Sequence, residues 1–543
     1  MIPTLPNRDA LGERIREDIR LSLWDVLIRT AEAHPDRQAV VMGGAAMSYR
    51  ELVGAALRAA SALSDLGVGR GTRVASLFHT GPDWAVFHYA LMRLGALAVP
   101  VNLTYEQREL TWLLERTRPD LLVSIRRFEK FDCESKLVAV GEAAAAALLL
   151  DVDEGGRVVP GGRAHDAVFG NAATIPLGLT GEVGGDDPAY IVFTSGSTAF
   201  PKGALCPHRA FTGSAAGYVH CLRMGPDDRF IGMMTSFHVT GPVFLAVAHG
   251  CGAAIHLTGT FETTRVLDEI ERGRCTSTVG FPTNLTKLAG DPTFAGRDLS
   301  TFKKACVGGT PLYLEHLREI FGFDVLATPY GSTESGSALS LTDPDDTDPQ
   351  GPFHSNGRVL PGATVRILDP ETGRHCGPEE PGEICFGGWP RFLGYLPATA
   401  PDGDSIDAEG LFHSGDYGFL DAEGRLCYRG RYKMMIKTGG ENVSELELEM
   451  FLEEELAQVA QAQVVGVPDP TWGEEVVAFV ELRDPAARPS SEELRALCRG
   501  RIAGFKIPKR FLLMSKSDWP LTSSGKMDKQ ALRRLAAGLP EGR

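Results

Sequence analysis

The sequence predicts an α/β fold in two parts. A large N-terminal domain (1–432) would hold layered, mostly parallel sheets with helices and a small β subdomain; a smaller α+β C-terminal domain (433–543) would follow. Three observations carry this. At 543 residues the chain exceeds what one hydrophobic core supports. Helix-like and strand-like segments alternate as far as residue 330 or so. From 357 to 430 short strands and glycine turns replace that alternation.

The elements follow in order. Residues 1–21 read as a mobile lead-in and 23–34 as a helix. Ser48 and Glu51 form a capping box, after which Leu52, Ala56, Ala59 and Leu63 line one face of a helix that Gly67 stops. Next come a strand (73–78), a helix (83–94) and strands over 96–101 and 120–124. Residues 137–140 read as a strand within a loop-rich stretch. A strand over 190–193 precedes a helix opened by Pro207, His208 and Arg209, the last two as surface or capping groups. Strands over 230–234, 253–257, 276–279, 302–307 and 325–328 come with helices over 243–248 and 263–272. Three of these strands stop at glycine- or proline-containing turns: Phe281-Pro282-Thr283, Gly308-Gly309-Thr310-Pro311 and Tyr330-Gly331-Ser332-Thr333-Glu334. In open parallel sheets ligands bind beyond the carboxyl ends of strands, so a ligand is expected there. The acidic run 343–349 reads as a solvated loop. The C-terminal part holds a helix (444–456), strands (464–467 and 476–482), a helix (491–501) and a tail with Lys526.

Composition narrows the class. Hydrophobic residues make up 43% and glycine occurs 62 times, which fits a globular, loop-rich enzyme. A formal charge of −15 argues against nucleic acid or an anionic membrane as the main partner. The ten cysteines form no C-x-x-C pair and read as reduced thiols of a cytoplasmic protein. Residues 1–20 are charged and lack the apolar core of a secretory signal. The longest apolar run, 143–150, is far too short to span a bilayer.

The most informative stretch is Thr194-Ser195-Gly196-Ser197-Thr198-Ala199-Phe200-Pro201-Lys202-Gly203. Small hydroxylated residues and glycine let backbone N–H groups and hydroxyls converge on phosphate oxygens, and Lys202 adds a point charge for the same anion. It is not a Walker loop: Pro201 precedes the lysine and Gly203 follows it, where Gly and Ser or Thr are required.

This stretch resembles the phosphate loop of the adenylate-forming superfamily, which holds acyl-CoA synthetases, beetle luciferases and peptide-synthetase adenylation domains. The resemblance runs in order from about Trp24 to Lys526 and is nearest to the aryl- and acyl-CoA ligases. It implies ATP, Mg²⁺ and coenzyme A as reactants and a mobile C-terminal lid. Thr194, Ser195, Gly196, Ser197, Thr198 and Lys202 would hold the β- and γ-phosphates. Glu334 would coordinate Mg²⁺, a hard ion that suits carboxylate oxygen, and Thr333 would meet the α-phosphate. Tyr330 would stack on adenine in a slot edged by Gly309, Thr310 and Pro311; Gly331 and Ser332 belong to the same string. Asp416 would accept hydrogen bonds from both ribose hydroxyls, backed by Arg431, with Tyr428 in the same nucleotide site. Lys526, preceded by Phe505-Lys506-Ile507-Pro508, matches the catalytic lysine that bridges substrate carboxylate and α-phosphate. Lys433 occupies the hinge position, with Met434 where Asp often follows; Gly439, Gly440 and Glu441 would turn toward the pantetheine tunnel after rotation.

The resemblance also bears on the acid. His238 would sit between acyl pocket and phosphates, where amino-acid-activating relatives carry Asp to hold an ammonium. The expected wall comprises Phe237, His238, Val239, Gly241, Gly308, Gly309, Tyr330, Gly331 and Ser335, largely apolar with several small members. This leans to a mono- or bicyclic aromatic acid. A medium- or long-chain fatty acid, or transfer to a carrier protein in trans, are the alternatives. A non-catalytic nucleotide binder is disfavoured by the retention of Lys202, Glu334, Asp416 and Lys526. The oligomeric state, monomer or homodimer, is left open.

Overall fold

The computed structural model describes residues 8–170, 183–194, 201–233, 235–343, 345–346, 353–397, 399, 406–431, 435–438, 441–469, 472–499, 501–502, 504–515, 517–522 and 527–538. Two seven-stranded sheets form the body. In one, Val325–Ala327, Lys304–Val307, Ser277–Gly280, Arg229–Gly232, Ala254–Leu257 and Gln38–Met42 run parallel in that spatial order, and only the edge strand Ala45–Ser48 is antiparallel. In the other, Leu97–Pro100, Arg73–Leu77, Leu121–Ile125 and Leu148–Leu150 continue in parallel from Pro188–Thr194. On its far side Pro188–Thr194 pairs antiparallel with Lys202–Pro207.

Parallel strands covered on both faces must be apolar throughout, and they are: Tyr190, Ile191 and Val192 are buried, as are Ala305, Cys306 and Val307. Helices pack the faces with short local signals. The helix Tyr49–Asp65 begins at the Ser48–Glu51 capping box and buries Leu52, Ala56, Ala59 and Leu63. The helix Pro82–Leu94 ends at Gly95, whose φ of +65° needs no Cβ. A four-stranded antiparallel sheet, Ala363–Leu368, Gly382–Gly388, Phe412–Leu420 and Leu426–Arg431, makes the small β unit. Beyond it, Val459–Asp469 and Gly473–Leu482 form a long hairpin joined by Ile436–Thr438, Glu441–Val443 and Arg510–Leu513. This last sheet packs the helix Glu445–Glu455 on a core of its own, built on Leu448, Leu452, Val464 and Ala478.

Several expectations change. Residues 8–18 are not a mobile lead-in: Arg8–Asp18 is a helix that buries Leu11 and Ile15, and its Asp18 pairs with Arg14 and Arg29. Cys133–Val140 is a helix and not a strand, because Asp132 accepts the Ser135 N–H as an N-cap. His208 is fully buried and accepts the Leu23 N–H at Nδ1 (3.1 Å), so it is no surface group; burial lowers its pKa to about 4. The acidic run 343–349 is not wholly solvated, since Asp343 meets His220, Asp345 meets Arg223 and Asp346 meets Arg358. The helices Gln107–Thr117, Pro282–Ala289 and Lys529–Gly538 had no sequence expectation. Among the described residues no helix is long and apolar enough to cross a membrane.

Candidate active site

The carboxyl ends of the parallel strands open into a cavity of about 1600 Å³. Ser277–Gly280 delivers Phe281, Lys304–Val307 delivers Gly308, and the turn after Val325–Ala327 delivers Gly331, Ser332, Thr333 and Glu334. The position follows from topology: neighbouring parallel strands end on one edge, and their connecting helices diverge from it.

Thr194 and Lys202 face one another across the ladder at the ends of their strands, and both line the cavity. The intervening Ser195, Gly196, Ser197 and Thr198 lie outside the described residues, as do Lys433, Gly439, Gly440 and Lys526. Lys202 Nζ lies 5.1 Å from the centroid of the Tyr395 ring, and Tyr395 Oη donates to Glu334 Oε1 (2.6 Å). Glu334, only 8% exposed, thus presents a carboxylate at the cavity edge beside a cation. Its carboxylate is a hard oxygen donor of the kind that suits Mg²⁺.

Asp416 is buried, with Oδ2 accepting from Tyr330 Oη (2.8 Å) and Oδ1 2.9 Å from Arg431 Nε. Burial raises its pKa; Arg431 opposes that shift, and the net direction is upward. The Tyr330 and Tyr428 rings lie 5.5 Å apart at 35°. Gly331 has to be glycine: a Cβ there would stand 2.0 Å from the Ser337 carbonyl oxygen. Gly309 backs onto Tyr313, Pro311 opens the helix Pro311–Phe321, and Thr310 stands at its N-cap.

The sequence did not point to the scaffold around Asp416. Ser414 Oγ accepts the Asp416 N–H (3.0 Å) and donates to Ile384 O (2.6 Å). Glu383 Oε1 accepts the Gly415 N–H (2.8 Å), while Oε2 lies 2.8 Å from His413 Nδ1. His413 Nε2 lies 3.3 Å from Asp407 Oδ2. Burial alone would lower the His413 pKa; the two carboxylates outweigh it and raise it. Cys385 joins Glu383 and His413 in a cluster of metal-ligand type. Burial, however, drives its thiol far up, away from the thiolate that binds metals, and the carboxylate and imidazole are occupied with each other.

The apolar wall of the cavity comprises Phe237, Val239, Val279 and Phe281, with the His238 ring edge-on to Phe281 at 5.5 Å. His238 Nδ1 is 3.0 Å from Thr240 Oγ1. Four expected wall members, Gly241, Gly309, Tyr330 and Ser335, are not among the described residues that line the cavity. Ser335 is buried with its hydroxyl bonded to the Ser332 backbone, and Gly241 packs 3.0 Å (measured to an ideal Cβ) from the Thr235 carbonyl oxygen. Phe281 belongs to a turn expected to meet a ligand but not to the expected acid wall, and Tyr218 and Tyr395 line the cavity without having been expected. Glu441 begins the strand Glu441–Val443 opposite Thr438. Thr522 and Met527, on either side of 523–526, both line the cavity.

Comparisons with known proteins bear on the family and the fold. A family model described as AMP-binding enzyme matches residues 27–396, and one described as AMP-binding enzyme C-terminal domain matches 447–526. The indoleacetate–CoA ligase of Aromatoleum aromaticum is 31% identical, covering 96% of this chain and 98% of its own. A mitochondrial medium-chain acyl-CoA ligase of Bos taurus, ACSF2, is 30% identical over 93% of this chain and 86% of its own. The ATP-bound MatB structure from Rhodopseudomonas palustris superposes with a TM-score of 0.80 at 26% identity, covering 96% and 99% of the two chains. The chain belongs to the AMP-binding enzyme family, the adenylate-forming superfamily.

Proposed function

We propose that this chain, an AMP-forming acid–thiol ligase by family, takes an uncharged aromatic carboxylic acid, mono- or bicyclic, and converts it to the coenzyme A thioester. The observation that carries the proposal is a single cavity that joins the anion-handling groups Lys202, Glu334 and Arg431 to an apolar wall of Phe237, Val239, Val279 and Phe281. An aromatic ring fits edge-to-face against such a wall. Among the described residues the groups named for that wall include no carboxylate, although Glu334, Glu383, Glu445, Glu474 and Asp528 also line the cavity, and by resemblance His238 would take the place at which amino-acid-activating relatives hold an ammonium.

A carboxylate is a poor electrophile because its charge repels nucleophiles and oxide leaves badly. In the first half-reaction its oxygen bonds to the α-phosphorus of ATP, the bond to the bridging oxygen breaks, and pyrophosphate departs. Lys202 and the loop 195–198 would hold the departing charge, Thr333 would meet the α-phosphate, and Lys526 would bridge both anions. The lining of the cavity by Thr522 and Met527 supports that role for Lys526. Glu334 would hold Mg²⁺, which when bound neutralises phosphate charge. Asp416, Arg431, Tyr330 and Tyr428 would hold the nucleoside, with Gly309, Thr310, Pro311, Gly331 and Ser332 shaping the slot. In the second half-reaction a thiolate attacks the acyl carbon and AMP leaves. The lid, 433–543, would turn about Lys433 and bring Gly439, Gly440 and Glu441 to the pantetheine path.

The relatives named above support both an aromatic and a medium-chain acid, so the test must separate them. With ATP, Mg²⁺ and coenzyme A, arylacetic and bicyclic aryl acids should yield AMP and a thioester with kcat/KM at least about tenfold above octanoate, the difference worth about 1.4 kcal/mol. A preference for octanoate would replace the aromatic reading with the fatty-acid one. Adenylate formation without any CoA ester would favour a carrier protein as acceptor.

A further inference from the structure

The lid touches the nucleotide slot through one side-chain pair that the mechanism above does not use. Thr310 Oγ1, at the slot edge, donates to Glu453 Oε2 on the lid helix Glu445–Glu455 (3.1 Å). The other oxygen, Oε1, accepts the Ala462 N–H of the strand Val459–Asp469 (2.9 Å). Glu453 is therefore held by its own domain and, at the same time, by the wall on which adenine would rest. It is only 7% exposed. A lid that rotates between the half-reactions has to break this bond and part the carboxyl from the slot wall.

We propose that the Thr310–Glu453 hydrogen bond holds the lid against the adenine slot for adenylation and parts for thioester formation, which makes Glu453 a positioning residue for the order of the two steps. The inference rests on the two-step ligase reading. It concerns this chain's own pair and not the hinge or the catalytic lysine.

The charge on Glu453 gives the tie a direction. Glu449 and Glu454 face it from its own helix, and Glu449 is tied to Lys529 of the helix Lys529–Gly538. From the slot it meets Thr310, and from the strand Val459–Asp469 the Ala462 N–H. Burial, helped by Glu449 and Glu454, raises its pKa from 4.5 to about 7 in this orientation; the two hydrogen bonds pull the other way and are outweighed. The slot wall contributes to that burial, so a lid that has turned away lowers the carboxyl toward its ordinary range. The docked orientation binds the proton more tightly, so it is favoured in acid and loses ground as pH rises from 4.5 to about 7. Between pH 6 and pH 8 the shift in lid balance is about tenfold.

Glu453→Gln keeps the shape, accepts the Ala462 N–H through its carbonyl, donates its amide to Thr310, and does not titrate. The adenylation half-reaction is measured without coenzyme A, as acid-dependent pyrophosphate exchange. The thioester half-reaction is measured from supplied acyl-adenylate. The wild-type to Glu453→Gln rate quotient for adenylation should fall about tenfold from pH 6 to pH 8. The same quotient for thioester formation should not fall. Taking the quotient cancels ionisation of the thiol and of groups common to both proteins. A flat adenylation quotient, or equal falls in both half-reactions, overturns the inference. Glu453→Met, which is equally unable to ionise, replaces the Gln variant if thermal melting shows that one to be poorly folded. A wild type that performs neither half-reaction overturns the ligase reading, and this inference with it. A wild type that performs both, with a flat quotient, overturns the tie alone.

Discussion

At Asp416 a carboxylate is buried between Tyr330 and Arg431, of which Arg431 lines the cavity. If it accepts both ribose hydroxyls, Asp416→Ala should raise KM for ATP by about 10- to 100-fold, the range for losing hydrogen bonds to a charged group. The same variant should also lose its preference for ATP over the 2′-deoxynucleotide. An unchanged preference would remove Asp416 from ribose binding. His413 acts one step behind it. Its pKa is raised by Glu383 and Asp407 against the effect of burial, so the ion pairs are fully present below pH 6.5 and are lost as pH climbs through the raised value. KM for ATP should therefore increase on the alkaline side, and His413→Gln should flatten that limb in a pH series of initial rates. Gly331 tests packing instead of charge: Gly331→Ala forces the Ser337 carbonyl or the turn itself to move and should cost on the order of 10² in adenylation rate.

At the scale of elements, the lid helix Glu445–Glu455 depends on Ser444. Its hydroxyl accepts the Glu447 N–H (3.2 Å) and donates to Arg429 O in the small β unit, so it serves as cap and as tether together. Ser444→Ala should destabilise this helix by about 1 kcal/mol, read as a lower denaturation midpoint, with no comparable loss from a solvent-facing serine. Cap signals of this kind were legible in the sequence at Ser48, where a four-residue pattern contains the whole interaction. The Asp132 cap was equally local but went unread beside the apolar residues 137–140, whose short run resembles a strand as much as a helix. The helix Arg8–Asp18 had a different cause. Its sequence is mostly charged, and only docking on the body, with Asp18 held by Arg14 and Arg29, stabilises it.

At the scale of the whole molecule, the prediction is a division of labour between body and lid. Lys526→Ala should slow adenylation by about 10²–10³ while leaving thioester formation from supplied acyl-adenylate largely intact. Equal losses would deny the lysine its assigned step. Nucleotide analysis during turnover should show AMP and pyrophosphate; ADP would contradict attack at the α-phosphorus. The C-terminal domain carries a core separate from that of the body, so the proposed reorientation would not require the body's packing to change.

The residues proposed to handle phosphate, nucleoside and acid could be named from the chain because short strings carry its resemblance to the family: Thr194 to Lys202, Tyr330 to Glu334, and Gly415 with Asp416. Parallel-strand alternation likewise told where those strings would meet. What only the tertiary structure decided are contacts between residues far apart in sequence. Tyr395 on Glu334, Glu383 and His413 behind Asp416, Phe281 in the acid wall and Thr310 against Glu453 are of this kind. Periodicity and caps report interactions along one element, whereas these pairs exist because sheet order and lid docking bring distant side chains to one cavity.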